Sequence, residues 1–315
     1  MTMAAANTII DIEPAARMRT PNDSPLKIIC LAPTLVWFGA LFAVPLIALL
    51  WAGFWRVENY QTIITFSLEN YEQVAANFFA KSRYGLALVQ TFWVAITGGI
   101  FAVAFAYAVA LAIVYAVPQR WQRLALLFAI APFWSSYILR VYAWQTVLSK
   151  NGVVNSFLKM TGLDWARLDV IFTQTATRIG LVHYLAPILI VILYVTLTNI
   201  DRAVIEAARD LGSTRWQVFK KIILPLSGFG LTVAGSFAVI IGMGDALCGA
   251  LLGGGAGQSI IGKVPLFASM LISDYASATN LPRTAALATI LVLAMLLVMW
   301  ASFAIGERVR KATAE

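Results

Sequence analysis

Long apolar runs separated by short polar segments dominate this chain. Six runs, roughly 27–53, 85–116, 122–147, 179–200, 226–253 and 284–306, reach the ~20 apolar residues that a helix needs to cross a bilayer. They are continuous rather than alternating, which predicts helices and not a barrel. The second run exceeds a perpendicular crossing and should tilt or project beyond the lipid. Polar residues interrupt the third. Pro33, Pro45, Pro132 and Pro187 lie inside runs and predict kinks. The pattern therefore predicts an all-α membrane protein with six transmembrane helices.

Composition agrees. Of 315 residues, 60% are hydrophobic and 12% charged, against about 25% charged in soluble domains. Mean hydropathy is +0.80. Residues 1–26 are polar and hold Pro14, Pro21 and Pro25. They open on no apolar segment with a cleavage site, so we expect a disordered cytoplasmic tail ahead of an uncleaved first span. The membrane domain is expected over 27–306, with a cytoplasmic tail at 307–315.

The net charge of +8 matters through its distribution and does not imply a nucleic-acid partner. With the N-terminus in the cytoplasm, the inner segments and adjoining helix ends carry 13 of the 23 Lys and Arg residues. The outer loops carry 9 in many more positions, and Arg140 lies in the third run. This bias fits the positive-inside rule. Trp51, Trp55, Trp121 and Trp300 fall near run ends, as interface anchors do. One histidine and two cysteines exclude a Cys/His metal cluster within the chain. Cys30 and Cys248 fall near opposite ends of their runs and should not pair, because a disulfide needs Cα atoms within about 7 Å.

Residues 201–225 form a polar segment between two apolar runs. Asp201 can cap a helix that runs from Arg202 through Leu211. Gly212 should end it in a left-handed turn. Ser213 or Thr214 can cap a second helix through Trp216, Phe219 and Ile223, which Pro225 closes or kinks into the fifth span. Ala207 and Ala208 would let a partner surface approach. Glu206 and Asp210 offer charge, and Val204, Ile205 and Leu211 offer apolar grip. Periodicity alone also permits an amphipathic helix lying on anionic lipid, served by Arg202, Arg209, Arg215, Lys220 and Lys221.

The spacing Glu206-Ala207-Ala208, three residues, Gly212, nine residues, then Ile222-Ile223-Leu224-Pro225 resembles the cytoplasmic coupling loop of bacterial ABC-importer permeases. That resemblance implies the type I permease fold, with Glu206, Ala207, Ala208, Asp210, Leu211 and Gly212 docking on a separate ATPase. It implies a second homologous permease, two ATP-binding subunits and a periplasmic substrate-binding protein as partners, in a bacterial inner membrane. ATP and Mg would belong to the ATPase, with no cofactor in this chain and no bond chemistry of its own.

Gly257 through Lys263 matches the first seven positions of a P-loop, but Val264 stands where Ser or Thr must bind magnesium. No βαβ pattern surrounds it, so ATP binding here is rejected. Gly253 through Gly257 reads instead as a flexible outer loop, a gate or a surface for a binding protein.

Ionisable groups inside spans are costly and usually face a cavity or a partner. Asp245 follows Gly242 and Gly244, which permit close approach or local unwinding. Arg140 lies among Tyr137, Tyr142 and Trp144. The five are candidate solute-path residues; the alternatives are an Arg140–Asp245 ion pair or an Arg140 that snorkels outward. His183 is expected to hydrogen-bond within the bundle. An aromatic lining with an acid would suit an organic cation.

The stretch from Phe133 to Trp144, the run Leu148 to Asn155, and Leu251-Leu252-Gly253-Gly254 followed by Ile261-Gly262 resemble the spermidine/putrescine branch of these permeases. That implies polyamine import by ATP-driven alternating access. Gly244-Asp245-Ala246 departs from the branch's Gly-Glu-Phe pattern, which leaves an opine, an amino-acid derivative or another small solute open. A stand-alone secondary carrier would need coupling carboxylates or inverted repeats. A membrane enzyme would need a nucleophile–base set or metal cluster. Neither pattern is present.

Overall fold

The computed structural model describes residues 24–58, 61–79, 83–253, 266–278 and 280–314. The expected tail falls almost wholly outside them, as do the P-loop-like segment and all of the glycine-rich loop except Gly253. The chain divides between Leu49 and Leu50 into two units. The first holds α1 (Ser24–Phe38), a π-helical turn (Gly39–Ala43) and most of α2 (Val44–Ala52). Its apolar side chains, among them Leu35, Trp37 and Phe42, are exposed, as lipid-facing groups are.

The second unit starts with a short hairpin, β1 (Arg56–Glu58) against β2 (Gln61–Ile63), and α3 (Glu69–Phe79). Then come α4 (Arg83–Leu111), a π turn (Ala112–Ala116), α5 (Gln119–Ile130), a 3-10 turn (Ala131–Trp134), α6 (Tyr137–Leu148), α7 (Val153–Met160) and α8 (Gln174–Thr198). After these follow α9 (Arg202–Asp210), α10 (Arg215–Val218), a π turn (Phe219–Ile223), α11 (Leu224–Leu226) and α12 (Gly228–Gly244). The last elements are α13 (Leu247–Leu251), α14 (Phe267–Ala278) and α15 (Leu281–Ala314).

Among the described residues, four helices are long and apolar enough to span a membrane, and two bent pairs, each taken as one span, raise the number to six. The third run is not one straight helix: α5 with its 3-10 turn meets α6 and α7 at 87°. Pro132 sits at the start of that turn and Ser135 is extended, at φ −81° and ψ 150°. The fifth run is likewise broken, because α12 stops at Gly244 and α13 restarts at Leu247. The expected 307–315 tail is mostly helix. α15 continues to Ala314, helped by an Arg310–Glu307 pair at 3.0 Å.

Proline sets the helix irregularities. Each π turn ends two residues before a proline, at Pro45, Pro118 and Pro225. A proline nitrogen cannot donate and its ring crowds the carbonyl four residues back. A wider turn relieves that crowding at the cost of one bulged residue. At Pro118 the helix ends, and Val117 is extended with φ −87° and ψ 132°, as the residue before proline prefers.

Helices α4, α8 and α12 form the centre. Small residues on α12 recur every fourth position, at Gly230, Ala234, Ala238 and Gly242, and all four are buried. A methyl group at Gly242 would lie 3.3 Å from the Ala95 Cβ, and one at Gly230 would lie 2.2 Å from the Thr196 hydroxyl oxygen. In lipid, where no hydrophobic force draws helices together, such close backbone packing holds them. α4 answers with Ala102, Ala106 and Ala110, all fully buried.

The segment 266–278 was expected as outer loop, yet Leu266, Phe267 and Met270 are buried. The Phe267 N–H donates to the Thr91 hydroxyl at 2.8 Å and seats α14 on α4. Nearby, the Tyr84 hydroxyl donates to Asp274 and accepts from the Arg283 Nη2 at 2.6 Å. This clasp ties α4, α14 and α15 together.

Candidate functional site: a capped elbow and a buried polar cluster

The elbow is built by three local rules. Asp201 accepts from the Ala203 N–H at 2.9 Å and caps α9. At the other end, Ser213 N–H donates to Ala208 and Gly212 N–H to Arg209, the paired bonds of a Schellman closure. Gly212 has φ +84°, the left-handed region that glycine enters without a Cβ penalty. Thr214 then caps α10 in a reciprocal box with Gln217.

One face of the elbow is exposed: Val204, Glu206, Ala207, Asp210, Leu211, Gly212 and Trp216. Leu211 is 87% exposed, an unusual place for leucine on a capped, ordered turn. The opposite face packs inward. Ile205 is buried with Val218 and Ile223, and Ala208 and Phe219 pack against the same core. Ile205 therefore holds the elbow to its own bundle and does not belong to the outward grip expected from sequence.

The elbow joins the spans at Ser227, where α10–α11 and α12 meet at 64°. Ser227 is fully buried. Its hydroxyl lies 2.7 Å from the Tyr107 hydroxyl of α4. Phe219 bridges outward, with its ring 6.3 Å from Tyr107 and 5.4 Å from Trp216. An aromatic and hydroxyl chain thus runs from an exposed residue to a buried contact between α4 and the start of α12.

The polar cluster lies at the break in the fifth run. Asp245 is 7% exposed. Its carboxylate accepts from the Tyr137 hydroxyl at 2.7 Å and from the backbone N–H groups of Leu247 and Cys248, each at 3.2 Å. It therefore caps α13 while holding α6. α13 also sits hard against α8: a methyl at Gly180 would lie 2.8 Å from the Cys248 sulfur. Cys248 is a free, buried thiol, 3.1 Å from the Tyr137 hydroxyl; the side chain of Cys30 lies outside the described residues.

Arg140 makes no ion pair with Asp245, whose oxygens are already engaged. Nor does it snorkel free, since its Nε and Nη1 are buried without a hydrogen-bond partner among the described residues. Its guanidinium carbon stands 5.8 Å from the Tyr137 ring centre and 5.9 Å from that of Tyr184. The two rings stack at 4.1 Å.

The structure thus gathers Tyr137, Arg140 and Asp245, with Trp144 packed on the same buried cluster as Tyr137, and leaves Tyr142 apart. Trp144 meets His183 edge-on at 5.8 Å, in a groove of about 550 Å³ shared with Phe101, Phe105 and Arg178. Tyr142 is half exposed on the other face of α6. Tyr184 was missed, because a lone tyrosine in an apolar run carries no signal of its own.

A helical bundle with small-residue packing, broken spans and a capped, outward elbow is that of a membrane transport subunit. The family described as binding-protein-dependent transport system inner membrane component matches residues 124–311. The chain belongs to this family of ABC-importer permeases. It is 27% identical over 285 residues to the spermidine/putrescine transport system permease protein PotB of Salmonella typhimurium (strain SL1344), covering 89% of this chain and 94% of that one. It is 33% identical over 186 residues to the protein of the same description from Escherichia coli (strain K12), covering 58% and 66%. A solved bacterial alginate ABC transporter, in complex with alginate pentasaccharide-bound periplasmic protein, contains a chain of the same fold. That chain aligns with a TM-score of 0.72 at 18% identity over 91% of this chain and 95% of its own.

Proposed function

We propose that this chain pairs with a second, similar permease and imports a small organic cation of the polyamine class by ATP-driven alternating access. In this reading two ATPases grip two elbows, and a periplasmic binding protein delivers the solute outside. The elbow faces the cytoplasm together with both termini. Closure of the ATPases moves the elbow, and α12 and α4 follow as rigid bodies. ATP and Mg stay on the ATPase, and this chain is the conduit.

The observation that carries the coupling role is the capped elbow, which exposes Leu211 yet is anchored at Ser227 to Tyr107. For the solute, the support is the 27% identity to PotB across 89% of this chain, with a buried acid beside stacked tyrosines. Calorimetry on the cognate binding protein tests this: tight diamine or polyamine binding is expected, and a purely anionic ligand would overturn it.

A second reading has its own observation. Arg140 presents buried nitrogens without partners among the described residues near Tyr137, whose hydroxyl holds Asp245, and Asp245-Ala246 replaces the branch's Glu-Phe. An amine that also carries a carboxylate, such as an opine or amino-acid derivative, would satisfy both charges. The same calorimetry separates the two readings, because only the second predicts that esterifying the ligand's carboxylate abolishes binding.

A further inference from the structure

A groove of about 620 Å³ opens at the elbow end of the bundle. The π turn after α4, the first turns of α5, the end of α8 and the first residue of α9 enclose it. Arg120, Arg123 and Arg202 line it together with Tyr115, Gln119 and Tyr194. No Asp or Glu lines it, and none of the three arginines has an ion pair among the described residues. The adjacent acid, Asp201, is committed to capping α9. Gln122 turns its amide onto the Val114 and Val117 carbonyls, so it does not neutralise the arginines either. The N-terminus of α5 also points here, and no side chain caps it, which leaves backbone N–H groups for an anion.

Three unpaired guanidinium groups around one groove repel one another unless an anion joins them. Guanidinium favours phosphate, which it grips through two parallel hydrogen bonds. Thr198 and the buried side chains of Val114, Leu197 and Ile200 complete the lining. Exposed Trp121 stands next to it in sequence, where an interface anchor belongs. Basic pockets between spans at the membrane surface hold acidic lipid headgroups.

We propose that this groove binds the phosphate of an acidic glycerophospholipid and that, through Arg202, the lipid braces the elbow against α5. The site stands apart from the solute cluster and does not depend on which solute is carried.

Native mass spectrometry of the full-length chain in a zwitterionic detergent tests it, with phosphatidylglycerol, phosphatidylcholine and glycerol 3-phosphate as probes. The expected result is a preference of at least about tenfold for phosphatidylglycerol over phosphatidylcholine, at roughly fivefold per arginine near the surface. Replacing Arg120, Arg123 and Arg202 together with Gln should reduce the preference to about twofold or less, while replacing all three with Lys should largely keep it. Equal binding of the two lipids by the wild type would overturn the proposal, even if the Gln variant failed to fold. An unchanged preference in a folded Gln variant would overturn it too. Glycerol 3-phosphate competing as tightly as the lipid would sink the lipid assignment.

Discussion

Tyr107 and Ser227 are 120 residues apart in sequence, and their hydroxyls meet at 2.7 Å inside the bundle. Ser227 marks the bend between elbow and span, so under the proposed coupling this contact would carry displacement of the elbow to α4. Tyr107→Phe removes the bond and keeps the ring against Phe219. Ser227 retains its bond to the Leu224 carbonyl at 3.1 Å, so stability should fall by only about 1 kcal/mol. Insertion and assembly should be unchanged. Solute moved per ATP hydrolysed, measured in proteoliposomes with the partner subunits, should drop several-fold.

The exposed elbow face should govern docking. Glu206→Lys reverses a charge on that face without touching the core. Gly212→Leu forces a side chain into φ +84°, at a cost of roughly 1–2 kcal/mol, and opens the closure at Ser213. Both variants should insert normally and lose solute-stimulated ATPase activity. Unaltered stimulation in both would count heavily against docking.

Gln122 is a buried side chain whose amide reaches the Val114 carbonyl at 2.9 Å and the Val117 carbonyl at 3.1 Å. Both carbonyls lie at the π turn before Pro118. Gln122→Leu leaves the pair without a donor in a buried place, and a loss of about 1–3 kcal/mol is expected. A thermal-unfolding shift in detergent reads this directly, and Gln122→Glu should be no better, since a carboxylate has no N–H to give.

Tyr137 and Asp245 should behave as one unit. A double-mutant cycle with Tyr137→Phe and Asp245→Ala, read by thermal unfolding, should show a coupling of roughly 0.5–3 kcal/mol. Additive losses would mean that the 2.7 Å bond contributes nothing of its own.

Asn155 staples the loop after α6. It donates to the Ser149 and Leu168 carbonyls and accepts from the Leu168 N–H. Asn155→Ala removes all three bonds, so the 149–168 segment should become protease-sensitive while the bundle persists. Limited proteolysis followed by intact-mass measurement checks it.

The elbow was legible in the sequence because each of its joints carries a residue with a local reason to be there: Asp201, Gly212, Thr214 and Pro225. The spans were legible as runs, but hydropathy has no direction. The break after Trp134 was foreshadowed by the kink expected at Pro132, but a count of apolar residues could not give its 87° angle. The burial of Leu266 through Met270 was missed because the run is too short to register as a span. Asp245 was found by its charge, yet its bonds to Leu247 and Cys248 come from tertiary placement. Arg140 was found too, while its place over two tyrosine rings depends on Tyr184, which lies 44 positions further on in another helix.

The elbow's caps have a mechanical consequence. Asp201, Gly212 and Thr214 pin its backbone at every corner, so little of an applied stroke is lost as backlash within the hairpin. Compliance is left to the joint at Ser227, so under the proposed coupling the hairpin would work as a stiff crank whose throw is set by the angle of that joint.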